Sequence, residues 1–216
     1  MSGDRPPAPR RESYANITLQ GPAQQQVVES LNRAGRVAYV SPTVRNCTVI
    51  FHEDLTAQEE IASSLSAEFH CPSLLAMGYI GTILLYELYR DGAKLDEYAS
   101  EAFDDEDQEE IEQSPPEGDP AILCEAFGRE KALKSVERVL HKPTDPEHPD
   151  QGYARAANRH GDLCQALGLP TFAAGVGFEQ IELGELPAGP GFEPGALVKT
   201  GTPGNQVRKG EPSGPA

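Results

Sequence analysis

The chain has 216 residues, 38% of them hydrophobic, which is long enough to bury a core in one or two domains. Its 34 acidic and 18 basic side chains leave a net charge of −16. A surface of that sign disfavours nucleic acid and anionic membrane and favours basic partners. No apolar stretch approaches the roughly 20 residues that span a bilayer, and residues 1–12 lack the apolar middle of a signal peptide. The chain therefore reads as cytoplasmic.

Residues 1–12 are polar and Pro-rich, and disorder is expected there. Over 14–19, Ala15, Ile17 and Leu19 alternate with Tyr14, Asn16 and Thr18, the pattern of a half-buried strand. Gly21-Pro22 breaks the run. Val27, Val28, Leu31 and Ala34 then mark one helical face, closed by Gly35. Runs over 37–40 and 48–51 pair as a hairpin across a polar turn. Thr56 and Glu59 have the spacing of a capping box for a second helix carrying Ile61, Leu65 and Phe69, which Pro72 prevents from continuing. Strands are expected over 74–80 and 83–89. Asp91-Gly92 turns the chain back for 93–98, because Gly accepts positive φ.

The stretch 101–112 holds eight acids and no base, half of the whole imbalance. With Ser114-Pro115-Pro116 it reads as an extended linker over 101–118. Asp119-Pro120 caps a helix with Leu123, Ala126 and Phe127. Leu133, Val136 and Leu140 mark another. Tyr153, Ala157, His160, Cys164 and Leu167 form the stripe of a third, ended by Gly168. The apolar, Gly-rich stretch 172–183 predicts one or two last strands, and 187–216 a disordered tail.

The order strand, helix, strand, strand, helix, strand, hairpin predicts an α+β fold. Its core is a split βαβ (ferredoxin-like) sandwich over 13–100, extended by a β-hairpin. A helical subdomain with a terminal strand or hairpin follows over 119–186 and packs on the first.

Signals for chemistry are sparse. His160 and Cys164 share a helical face, the weak candidate for a nucleophile pair, with no orienting third group. His52, Asp54, His70 and Cys71 end a strand and a helix and form the weak candidate for a metal, though their spacing matches no established ligand pattern. Tyr86, Tyr89 and Tyr98 lie on expected strands and are the candidate aromatic binding patch. Cys47, Cys71, Cys124 and Cys164 form no C-x-x-C pair and read as free thiols. No motif calls for a cofactor: Gly175-Val176-Gly177 lacks the third glycine of a dinucleotide fingerprint.

Three stretches, Tyr14-Ala15-Asn16-Ile17-Thr18-Leu19, the hairpin from Leu85 to Tyr98, and Ala166 to Phe178, together resemble a family of bacterial hypothetical proteins. The resemblance spans 13–187 and implies a bacterial, cytosolic origin, with no activity, cofactor or site residue to transfer. The function expected from the residues is a non-catalytic acidic protein-binding module, for example an inhibitor or immunity-type protein for a basic partner. The alternatives are a small-molecule sensor, with its cleft between sheet and C-terminal helices, or a hydrolase using the Cys/His pair or a metal. The oligomeric state is open.

Overall fold

The computed structural model describes residues 13–101, 114–148 and 150–201. The stretch 1–12, most of the acidic linker and the end of the tail lie outside the described residues. The elements in order are β1 (Tyr14–Gln20), α1 (Gln24–Arg33), β2 (Ala38–Val40), β3 (Cys47–His52), α2 (Gln58–Phe69), β4 (Ser73–Tyr79), β5 (Ile83–Arg90) and β6 (Ala93–Ala99). Then come α3 (Pro120–Ala126), α4 (Leu133–His141), α5 (Ala156–Leu167), α6 (Phe178–Glu182) and β7 (Val198–Lys199). The architecture is α+β: the strands form one seven-stranded sheet of order β6-β5-β4-β1-β3-β2-β7. Every neighbouring pair is antiparallel. The crossover through α1 passes over β3, and the one through α2 passes over β1.

Side chains alternate across the strands, so each strand feeds two faces. On one face Ile17, Leu19, Val40, Ile50 and Leu75 meet Val27 and Leu31 of α1 and Ile61 and Leu65 of α2. Both helices start where a polar group takes a free backbone donor. Gln26 Oε1 accepts from the Ala23 N–H at 2.9 Å. The Thr56-to-Glu59 capping box does not form. Asp54 Oδ1 accepts from the Thr56 N–H at 2.8 Å and from its hydroxyl at 2.7 Å, opening a 3-10 turn over Leu55–Ala57 that runs into α2. A carboxylate two residues upstream is the stronger acceptor and wins.

The opposite face is also covered. Leu74, Leu84, Tyr86, Leu88 and Tyr98 pack on Leu123, Phe127, Val136, Leu140, Leu163 and Leu167 from α3, α4 and α5. Each such side chain contributes about 1.5–3 kcal/mol when fully buried, so this second layer is integral to the sheet. Farther along, Val49 and Phe51 meet Phe172, Ala173 and Ile181. The joint of sheet and C-terminal helices, where a sensor's cleft was expected, is thus filled by side chains. Tyr14 shows how tightly. Its ring lies across Gly78, where a Cβ would come within 2.2 Å of Tyr14 Cε1, so β4 needs glycine there.

The last third departs from expectation. Residues 172–183 form a 3-10 turn (Thr171–Ala173) and α6 rather than strands. Gly175 turns the chain at φ +80°, and Gln180 Oε1 accepts from the Gly177 N–H at 3.0 Å to start α6. The final strand lies beyond 187, in the expected tail: Val198 and Lys199 pair with Val40 and Tyr39. Thr200, 1% exposed, accepts from the Ala38 N–H at 2.9 Å through Oγ1 and donates that hydroxyl to the Arg36 carbonyl at 2.8 Å.

Candidate functional site

Among the described residues, one part of the sheet escapes both helical layers. Met77, Leu85 and Ala99 lie in register across β4, β5 and β6, on the face that carries α1 and α2. Over the Asp91–Gly92 turn that face is closed by α2, where Ser63 Oγ donates to the Gly92 carbonyl at 2.7 Å. Toward the other end of the hairpin α2 no longer reaches. A groove of about 380 Å³ opens there, with partly exposed Met77 and Leu85 on its floor. Residues Ser114 to Pro116 make its outer wall, held by the Ala99 N–H donating to the Pro116 carbonyl at 2.9 Å.

The rim is acidic. Glu59 comes from the first turn of α2, Glu87 from β5 and Glu97 from β6. Lys94 answers two of them, donating to Glu97 at 2.6 Å and to Glu87 at 3.1 Å. These bonds, Glu97's first, raise its ammonium above the ordinary lysine range. The Tyr89 hydroxyl donates a short bond to Glu87, whose side chain is only 14% exposed. Burial and that carboxylate push the Tyr89 phenol up. Among the described residues, three rim carboxylates against the one ammonium of Lys94 leave two negative charges in excess beside an apolar floor. A smaller hollow of about 130 Å³ between α1 and α2 is bridged by the pairs Arg36–Glu60 (2.6 Å) and Arg33–Glu68 (3.3 Å).

Of the three candidate tyrosines, Tyr86 and Tyr98 border this groove from inside, and Tyr89 packs in the core under α1 and α2. Tyr86, Tyr89 and Tyr98 are 1%, 6% and 4% exposed. Tyr86 and Tyr98 point into the layer under α3–α5, their rings stacked at 5.3 Å. The Tyr86 hydroxyl donates to Asp96 at 2.7 Å and the Tyr98 hydroxyl to the Leu140 carbonyl at 2.8 Å. The helices that cover this face are the reason.

His160 and Cys164 do share a face of α5, and both are buried, at 1% and 0% exposure. The Tyr14 hydroxyl sits 3.2 Å from His160 Nδ1 with the two rings stacked. His160 Nε2 is buried without a hydrogen-bond partner among the described residues. Burial lowers the imidazole to about 4 and raises the Cys164 thiol to about 12. A neutral ring beside a neutral thiol is the reverse of the ion pair that nucleophilic chemistry uses. Cys47 and Cys71 are likewise pushed up to about 11, chiefly by burial. All four thiols are free and buried.

The four metal candidates are divided by local bonds. His52 is buried, and its Nδ1 accepts from the Asp54 N–H at 3.0 Å. The Asp54 carboxylate turns to Thr56. His70, at the left-handed end of α2, pairs outward with Asp91 at 3.0 Å, while Cys71 points into the core. Among the described residues, no three His, Cys, Asp or Glu side chains converge on one point.

Sequence reasoning missed Arg159, a cation 1% exposed. Its Nη1 donates to the Tyr98 hydroxyl at 2.7 Å and to the Val139 and Leu140 carbonyls at 3.0 and 3.1 Å. Its Nη2 donates to Thr144 Oγ1 at 3.1 Å. The Tyr153 ring lies 4.6 Å from the guanidinium carbon. Those two carbonyls belong to the last turn of α4, the negative end of its dipole. Arg159 therefore clamps α4, α5 and β6 together as a structural cation. The available signal was its place three residues after Ala156 on the buried stripe of α5.

Compared with protein-family models, with curated proteins and with solved structures, the chain matches none of them. Among the described residues, no helix is long and apolar enough to cross a membrane.

Proposed function

We propose that the chain is a non-catalytic, acidic protein-binding module whose groove over β5 and β6 receives a basic segment of a partner protein. The observation that carries this is the coincidence of an uncovered apolar floor with a rim of Glu59, Glu87 and Glu97. Opposite charge steers such a partner in, and the floor offers apolar contact once it arrives. An inhibitor or immunity-type protein that occupies a basic active site is the concrete form of this reading. Four unpaired thiols suit a cytoplasmic setting.

The strand order β4-β1-β3-β2, with crossovers through α1 and α2, supports reading the first half as a split βαβ unit of the ferredoxin-like kind. On that reading β5 and β6 are an addition to the unit, and the groove belongs to the addition. The fold itself says nothing about activity.

The test is capture from a lysate of the native host at low and at high salt. The full chain is compared with the same chain carrying Glu59→Gln and Glu97→Gln. A basic partner held only at low salt, with capture reduced about tenfold in the variant, is the expected result. Equal capture by both chains removes the groove from the proposal. The absence of any salt-sensitive partner removes the module.

A further inference from the structure

We infer that the groove selects its occupant by a spacing: an extended segment of the partner that carries an apolar and a basic side chain two residues apart. This inference rests on the groove being a site for basic segments and adds which of them it takes.

The sheet register lays the groove out in two rows. Met77, Leu85 and Ala99 pair across β4, β5 and β6 and form the apolar row. Glu87 pairs with Glu97 two residues along the same strands, so both stand on the same face as Leu85 and Ala99. The irregularity in the β5–β6 pairing falls between Leu88 and Tyr89, beyond both rows, and leaves their alternation intact. Glu59 joins the acidic row from the first turn of α2. Two residues of strand rise about 7 Å, which separates the apolar row from the acidic one. An extended occupant running along β5 repeats that rise, and its side chains at i and i+2 point the same way. One therefore meets Met77 and Leu85 while the other meets the carboxylates.

The floor from Met77 to Ala99 is two strand spacings wide, about 10 Å. A helix with its side chains is about 10–12 Å across and overfills the space between α2 and the Ser114–Pro116 wall, whereas an extended chain fits. Strand addition at this margin of β6 is closed, because the Ala99 N–H donates to the Pro116 carbonyl and Glu117 bridges to Tyr98. Recognition thus falls to the two side chains rather than to a backbone ladder. The charge suits a cation. Lys94 answers Glu87 and Glu97, and among the described residues Glu59 has no ion pair, which leaves it open to the incoming side chain.

Two end-blocked peptides of one composition test the spacing. In Thr-Arg-Thr-Ile-Thr-Arg-Thr the isoleucine lies two residues from each arginine, so either chain direction presents the pattern. In Thr-Arg-Ile-Thr-Thr-Arg-Thr it lies one and three residues away, on the opposite side of an extended chain. Met77 is one of only two methionines, the other being Met1, so its carbon-13 labelled methyl reports on the floor. Each peptide is titrated against the full chain and against the chain carrying Glu59→Gln and Glu97→Gln. The first peptide should shift the Met77 resonance with a midpoint about tenfold below that of its isomer. The double substitution should raise that midpoint about three- to tenfold. Equal midpoints, or a tighter isomer, with both peptides weakened by the substitutions, refute the spacing and leave the groove as a site for basic segments. Midpoints that ignore the substitutions, or a Met77 resonance that neither peptide moves, remove the groove reading and this inference together.

Discussion

Buried His160 makes the stability of this protein depend on pH in a way that can be isolated. The unfolded chain takes up a proton on this imidazole near the ordinary value of 6.5, while in the folded state burial delays uptake to about 4. The contribution is fully present above about pH 6.5. It is lost progressively as pH falls toward 4, because over that interval only the unfolded state binds the proton. Each pH unit is worth about 1.4 kcal/mol, so the interval as a whole is worth about 3 kcal/mol. The perturbation is His160→Asn, which keeps an acceptor near Nδ1 for the Tyr14 hydroxyl and cannot titrate. Urea unfolding of both chains at several pH values between 7.5 and 4.5 gives two stability curves (roughly the span the imidazole controls). Their difference cancels the carboxylates, which titrate alike in the two. The asparagine chain starts out less stable at neutral pH, and the gap closes by about 2–3 kcal/mol on acidification. A gap that stays constant across the range, or that widens in acid, would refute the assignment of a neutral, desolvated ring.

Arg159→Met removes a buried cation, takes a donor from the Val139 carbonyl and the Thr144 hydroxyl, and leaves the Leu140 carbonyl with the Tyr98 hydroxyl. A loss of about 3–5 kcal/mol in urea unfolding is expected, and a loss under 1 kcal/mol would show that the clamp contributes little. Thiol-specific reagents at neutral pH should leave all four cysteines untouched in the folded chain and modify all four in urea, since burial holds each thiol protonated. One fast-reacting cysteine in the native protein would contradict that.

Period-2 alternation made the sheet legible in the sequence. Ile17 and Leu19 had one inward-facing set, and the Asp91-Gly92 turn has positive φ at both residues, 51° and 82°. The helix ends marked by Gly35, Asp119 and Gly168 are also as expected. What could not be read was the partner of each face. The tyrosines of β5 and β6 have the same alternation whether water or α3–α5 lies above them, so Tyr86 and Tyr98 read as easily outside as in. The stretch 172–183 is apolar enough for a strand, and only the positive-φ Gly175 and the Gln180 cap decide for a turn and helix. Val198 and Lys199 are two residues inside a Gly- and Pro-rich segment, too few to show a period. The groove was invisible for a related reason. Glu59, Glu87 and Glu97 sit on three elements, and only the sheet register brings them around Met77 and Leu85.

The short strand β7 and Thr200 cover the outer side of β2, where Thr200 takes the backbone groups of Ala38, and Gln24 Nε2 takes the Val40 carbonyl at 3.0 Å. A sheet margin with free donors and acceptors is a template on which other chains assemble. Shortening the protein before residue 198 would bare that margin, and the shortened form would self-associate in solution even though the hydrophobic interior is untouched.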